Sequence, residues 1–523
     1  MALTLNIPSL SDKPIIIADT RAQKISQSLA NFQTQSQLDI ASHLQSELEI
    51  LNRQKVSATN RIQALEAYRP LLISTAHNLA DDYTNASLPL HDKAKLAAAA
   101  AEALWLELGY GYKLALVDLQ NQLIKLGTEK SSVHAIQRAM HAISEYALVN
   151  YQTYVILPAH VWSDLHQLYF CAVQMNVQRF KSELTNTGIP TEYSIENTYK
   201  HALLMSLADP QHLTQRDIRL VANYLAYHVN DAQITAVTPL ESTAGAFIIS
   251  LKSDKAPVPY SKQKEAPDAS TDIMLGTMDL VRSIHQQLSN LQNKQLPKDG
   301  SIPTNANRSE YIDLLTYLIK HWGIIPKRVY NRSQKNGEIE LVAGISAIHY
   351  VSDNKPVALN VQSLQGDAIG AEKSQQVMPS RWQILNISAA GVSIRRHPTA
   401  DKNIKIGSLI GLKTKDEQFW SLGLVRWASC GAKDKLDIGV QLIAPQAQSA
   451  TARIDGRDAD EMVLLLPGIA AVKQVASIIT PRGMFEPARQ MVLTHKNKSI
   501  HIMLTKLTDR SPHFERMQYS IIA

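Results

Sequence analysis

Arg328 and Arg332 stand four residues apart in R-V-Y-N-R, and Asn386, Ser388 and Gly391 form the pattern N-I-S-A-A-G. A guanidinium is a planar fork of donors that pairs bidentately with phosphate oxygens or with the O6/N7 edge of guanine. Two of them on one short segment can clamp both kinds of group. Asn386 and Ser388 are two apart in an alternating stretch, so they share one face of a strand and offer amide and hydroxyl hydrogen bonds. Gly391 permits a turn or a close backbone approach that a Cβ would block. Chance alone supplies roughly one R-x-x-x-R in a chain of this length, and Arg453 and Arg457 in R-I-D-G-R are such a pair. The weight therefore falls on order and context, since the first arginine pair precedes a strand-rich segment and N-x-S-x-x-G lies inside it.

Other chemistries find less support. The 17 histidines include no H-E-x-x-H or other tight ligand spacing, and G-x-S-x-G, Walker and dinucleotide-binding patterns are absent, so no catalytic residue, metal or cofactor is expected. Cys171 and Cys430 are isolated in sequence, which leaves no disulfide framework and suits a reducing compartment. Cys171 reads as buried in a helix. The net charge of +6 is spread over 523 residues, too dilute to announce a nucleic-acid coat. The N-terminus lacks a basic segment followed by an apolar one, and no run reaches the roughly 18 apolar residues of a spanning helix. The expectation is a cytoplasmic, bacterial-type protein.

A chain of 523 residues should hold several domains. Residues 1–232 carry helical spacing, as in Leu44, Leu48 and Leu51, and read as an all-α bundle. The stretch from Asp92 suggests two helices with a break near Gly109 and Gly111. Residues 233–275 suggest a short strand pair and then a Pro/Lys linker. Residues 276–324 hold two helices: Leu280, Ile284, Leu288 and Leu291 share a face of the first, and in the second Ser309 can cap a stripe of Leu315, Ile319 and Trp322. Residues 325–445 alternate as strands of a barrel, IELVAGISAIHYV among them, with a polar insertion at 352–380 and with Trp382 and Trp427 as core. Residues 446–523 form a further β unit or extension. The fold class is multidomain α+β.

With R-x-x-x-R followed by N-x-S-x-x-G, and with the strands IKIGSLIGLKT, GLVRW and DIGVQLI after them, the segment from Arg328 to Pro445 resembles the PilZ domain family. That resemblance implies a small β-barrel that binds the bacterial second messenger cyclic di-GMP. It also implies that Arg328, Arg332, Asn386, Ser388 and Gly391 are the ligand-binding residues. Arg395 and Arg396, just beyond the second motif, are added as candidate phosphate contacts. The sequence departs from the family in two places: a long insertion separates the motifs, and Asn386 stands where Asp is commoner. By resemblance the ligand would fold the arginine segment onto the barrel and reposition neighbouring domains.

The resulting expectation is a non-catalytic receptor whose helical region serves a protein partner or self-association. A PilZ-like adaptor that no longer binds nucleotide is the alternative from another class, to be separated by titration with the dinucleotide. A nucleic-acid binder is a third reading, and it would show steep salt dependence.

Overall fold

The computed structural model describes residues 3–522 except 33–34, 123–127, 184–191, 264–265, 298–299, 305, 324–330, 353–377, 399–403, 433, 457–458 and 469–474. Two compact units result: Met1–Ala86 with Leu90–Lys327, and Ser87–Pro89 with Arg328–Ala523.

The first unit begins with eight helices: α1 (Ala22–Leu29), α2 (Gln37–Asn52), α3 (Ala58–Tyr83), α4 (Asp92–Asn121), α5 (Glu129–Gln152), α6 (Ala159–Gln174), α7 (Ile195–Leu207) and α8 (Gln215–His228). Before α7, β1 (Lys181–Glu183) pairs with β2 (Glu192–Ser194). Helix starts are written locally: the hydroxyls of Ser36, Ser57, Ser194 and Thr214 accept backbone N–H groups three residues on, which satisfies donors the helix itself cannot. Leu44, Leu48 and Leu51 are buried, as their spacing predicts. Cys171 is buried in α6.

Helix α4 runs unbroken through Gly109 and Gly111, contrary to the predicted break. Its glycines give room to neighbours: a Cβ on Gly111 would lie 2.6 Å from a Leu65 methyl and 3.0 Å from Asn52 Oδ1. The helix thereby accepts α2 and α3 at close range, and that packing offsets the cost of about 1 kcal/mol that glycine imposes on a helix interior. The backbone carbonyl and the carboxylate of Glu107 each accept from Asn52 Nδ2, at 2.8 and 2.9 Å. Nearby, Lys113 and Asp164 form a fully buried ion pair at 2.6 Å.

A four-stranded antiparallel sheet follows: β3 (Gln233–Ala236), β4 (Ala246–Ser250), β5 (Val258–Pro259) and β6 (Asp272–Gly276), in the order β3-β6-β4-β5. The two stretches read as a strand pair do not pair with each other, because β6 lies between them. The Pro/Lys segment contributes β5 and is held to the helices by His166, whose Nε2 lies 2.9 Å from the Lys255 carbonyl while Nδ1 lies 2.6 Å from the Tyr199 hydroxyl. Then come α9 (Met278–Gln292) and α10 (Arg308–Trp322). Leu280, Ile284 and Leu291 are buried, and Leu288 is half-buried beside Gln287, which bonds Tyr224 and His228 instead. The cap of α10 is Asn307, which accepts from Ser309 N at 3.2 Å, so Ser309 already lies in the first turn. Leu315 and Trp322 are buried there.

The second unit contains two closed six-stranded barrels. The first comprises β7 (Ser333–Ala343), β8 (Ser380–Ser388), β9 (Gly391–Arg396), β10 (Leu409–Lys413), β11 (Ser421–Gly431) and β12 (Lys435–Ala444), in the order β10-β11-β12-β9-β8-β7. The second comprises β13 (Gln448–Ile454), β14 (Glu461–Leu466), β15 (Ser477–Thr480), β16 (Gln490–His495), β17 (Lys498–Arg510) and β18 (Glu515–Ile522), in the order β13-β14-β15-β18-β17-β16. Closure removes exposed strand edges, and the C-terminal β segment is thus a barrel in its own right.

Between β7 and β8 lies α11 (Ile345–Ser352), where alternation predicts more strand. Ile345, Ile348 and Val351 recur every three residues and pack into a core shared by both barrels, with Val342, Leu422 and Leu424 from the first and Leu464, Ile479 and Phe514 from the second. The apolar faces offered by the two barrels favour the helical period over the strand period at that point. Most of the polar insertion lies outside the described residues.

Candidate functional site

Pairing of β7 with β8 brings Arg332 of the first motif to the strand that carries the second. Ser333 stands opposite Ile387 and Gln334 opposite Asn386, so Arg332, exposed and one residue before β7, sits at the end of the ladder that carries N-x-S-x-x-G. Arg328 lies outside the described residues. Ser388 closes the β8–β9 turn by donating its hydroxyl to the Gly391 carbonyl at 3.2 Å. A Cβ on Gly391 would lie 2.2 Å from the Val440 carbonyl oxygen, so only glycine lets β9 approach β12 this closely.

A register shift between Ile384 and Asn386 sets the direction of these side chains. Trp382 and Ile384 are buried in the barrel; strict alternation would send Asn386 and Ser388 in after them. Leu385 is the extra residue of a bulge, which reverses the facing of the strand beyond it. Asn386 and Ser388 consequently share the outer face and are half-buried.

A row of paired positions crosses that face: Gln334, Asn386, Ser393, Gly439 and Trp427. Trp427 follows a second register shift, after Val425, and is half-buried on the outer side, whereas Trp382 is core as expected, its Nε1 donating to Ser380 Oγ at 3.0 Å. The sequence reading of Trp427 as core missed this placement. The available signal was a tryptophan facing a glycine on the neighbouring strand.

Arg395 is on the same outer face but committed to Asp437, with Nε–Oδ1 of 2.7 Å and Nη2–Oδ2 of 2.9 Å; this hydrogen-bonded pairing raises its already high pKa further. Arg396 stands opposite Trp382, on the other face from Asn386, and donates to the Pro398 carbonyl at 3.0 Å. Arg453 belongs to the second barrel, 3.9 Å from Asp460, and Arg457 lies outside the described residues. Burial pushes the Cys430 thiol up to about 12, with Asp434 and Asp437 adding to the shift, which removes it as a nucleophile. Among the described residues no cluster of His, Cys, Asp or Glu would hold a metal ion, and no helix is long and apolar enough to cross a membrane.

The first barrel, closed by six antiparallel strands and carrying N-x-S-x-x-G on β8 and the β8–β9 turn, is of the small β-barrel class, and comparison with known proteins gives its family. Residues 23–239 match the N-terminal domain of the cyclic-di-GMP receptor FimW. Residues 246–377 and 360–449 match its middle PilZ domain, and residues 452–522 match its C-terminal β-barrel domain. The chain belongs to the PilZ domain family, as a multidomain member with an N-terminal helical region. It is 23% identical to the cyclic-di-GMP receptor FimW of Pseudomonas aeruginosa, over 99% of this chain and 93% of that protein.

Proposed function

We propose that the chain is a cyclic di-GMP receptor that binds the dinucleotide on the outer face of the first barrel. The supporting observation is the bulge at Leu385, which turns Asn386 and Ser388 outward beside the end of β7 where Arg332 enters. Arg328 and Arg332 supply charge-assisted bonds to phosphates or guanine edges. Asn386 and Ser388 add neutral hydrogen bonds, Gly391 admits the close backbone approach, and Trp427 offers a π-face for a base. Arg395 is held by Asp437 and would have to exchange that partner to contact a phosphate.

Binding orders the arginine segment against the barrel, and the signal passes by domain rearrangement, with no catalytic step. The two barrels share an apolar core, so the rearrangement carries them as one body. The helical unit then presents the change to a protein partner or a second copy, and a second messenger of this kind places the work in the cytoplasm. The test is calorimetry of the full chain with cyclic di-GMP, GTP and cyclic di-AMP. Selective saturable binding of the first supports the receptor. Absence of heat with a folded protein leaves the adaptor reading, and binding that tracks salt with no preference for the dinucleotide leaves the nucleic-acid reading.

A further inference from the structure

Within the helical unit, α3 and α5 both pack on α4 and lay a polar layer across it. Glu66 and Arg69 lie three apart on α3; Arg138 and His141 lie three apart on α5. Each pair therefore shares a helix face. Glu66 anchors one end: its carboxylate takes the Tyr112 hydroxyl, lies 3.0 Å from His134 Nε2 and accepts from Arg138 Nε at 3.2 Å. At the other end Glu145 lies 4.0 Å from His77. Between these ends stand Arg69, Arg138 and His141, which are 2%, 6% and 9% exposed.

Each of these three holds a buried nitrogen with no hydrogen-bond partner among the described residues: Arg69 Nη2, Arg138 Nη1 and His141 Nδ1. Arg69 also makes no ion pair among them, and the one carboxylate bonded to Arg138 is shared with a tyrosine and a histidine. Guanidinium groups keep their charge when buried, and an uncompensated buried charge is strongly destabilising. Water could complete the hydrogen bonds but would leave the charge. The contacts of Glu66 with Arg138 and of His77 with Glu145 run in the same order along α3 and α5, so Arg69 and His141 both lie between them and beside Arg138.

We propose that Arg69, Arg138 and His141 bind a single small monovalent anion of halide size between α3 and α5. The anion offsets the charge of Arg69, which no carboxylate contacts among the described residues, and receives N–H groups from both helices, with the His141 Nδ1 proton as the third. Its small size follows from the close burial of all three nitrogens. This site is distinct from the nucleotide face and stands independently of that reading.

Bromide is the probe. Crystals of the full chain grown or soaked in sodium bromide should show an anomalous peak within hydrogen-bond distance of Arg69 Nη2 and Arg138 Nη1. In solution, replacing sodium gluconate with sodium bromide at constant ionic strength should raise the melting temperature of the helical transition saturably, by about 2 °C or more once the site is filled. Arg69→Met should abolish that rise. Water at the position, bromide only elsewhere, or an equal response in wild type and Arg69→Met would overturn the proposal. Should Arg69→Met fail to fold, Arg138→Gln and the wild-type diffraction decide on the same criteria.

Discussion

The indole of Trp427 occupies the space above Gly439, where a Cβ would lie 1.7 Å from Nε1. The glycine thus gives the tryptophan room on the outer face, and Gly439 itself is one strand from Ser393 and two from Asn386. Gly439→Val should expel the ring and leave the barrel closed. The expected result is a shift in tryptophan emission with cyclic di-GMP affinity reduced about tenfold, because stacking of one base on an aromatic ring is worth about 1–3 kcal/mol. Trp427→Ala should lose a similar amount. Wild-type affinity in both variants would remove Trp427 from the site.

The bulge at Leu385 that turns Asn386 and Ser388 outward also hides that face from sequence. Alternation correctly places Asn386 and Ser388 on one face, but counted from Trp382 and Ile384 it makes that face the interior; the single unpaired residue, Leu385, reverses it, and nothing about a leucine in a strand announces a bulge. Trp427 is misplaced for the same reason, beyond the register shift after Val425. Short-range spacing fared better, as in Leu44, Leu48 and Leu51, all buried on one helix, although the cap expected at Ser309 falls to Asn307. Where a neighbour decides, the local pattern loses: Gly109 and Gly111 look like a helix break until Leu65 and Asn52 are packed against Gly111. Likewise Ile345–Ser352 reads as strand until two barrel faces offer it a shared core.

Gly391 tests close packing independently of the ligand. Because a Cβ there would press on the Val440 carbonyl oxygen, Gly391→Ala should separate β9 from β12 and cost about 1–3 kcal/mol of barrel stability. Thermal melts of the variant would then show the β-rich transition lowered and the helical one unchanged. A variant that melts like wild type would mean the two strands can part without cost, contrary to the geometry.

The helical unit should lose stability in acid in two stages. Burial pushes His141 down to about 4 from an ordinary 6.5, and His77, His166 and His201 are lowered by burial too. Below pH 6.5 the unfolded chain takes up protons that these folded imidazoles refuse, so stability falls as pH drops towards 4. Glu66 follows: burial alone would raise its pKa, but His134, Arg138 and Tyr112 outweigh burial and hold it at about 2, against an ordinary 4.5. Its contribution is complete above pH 4.5 and is lost as pH falls towards 2. Melts followed by the helical signal should therefore show His141→Gln flattening the upper stage and Glu66→Gln the lower. A melting temperature constant from pH 8 to 4 would contradict the burial of these imidazoles.

Substitution of the arginines separates a true site from a coincidental motif. Arg328 and Arg332 would each lose charge-assisted bonds worth about 1.5–3 kcal/mol, so alanine at either should weaken cyclic di-GMP binding roughly tenfold to a hundredfold. Asn386→Ala and Ser388→Ala remove neutral bonds worth about 0.5–1.5 kcal/mol and should cost less; Ser388→Ala also frees the Gly391 carbonyl. Lysine at 328 or 332 should not restore full affinity, because a point charge cannot reproduce a planar fork. Arg395→Ala should leave Asp437 with only the distant Lys435, at 3.9 Å, and weaken binding through repulsion of the ligand's phosphates, and Arg395→Ala with Asp437→Asn should recover part of the loss. Arg453→Ala, in the second barrel beside Asp460, should be nearly silent. Arg332 is exposed, so its substitution should leave melting temperatures within the small range typical of surface changes, and calorimetry can be read as binding alone. If Arg453→Ala weakened binding as much as Arg332→Ala, or if Arg328→Ala and Arg332→Ala both bound like wild type, the dinucleotide would have to sit elsewhere than on the face of Asn386.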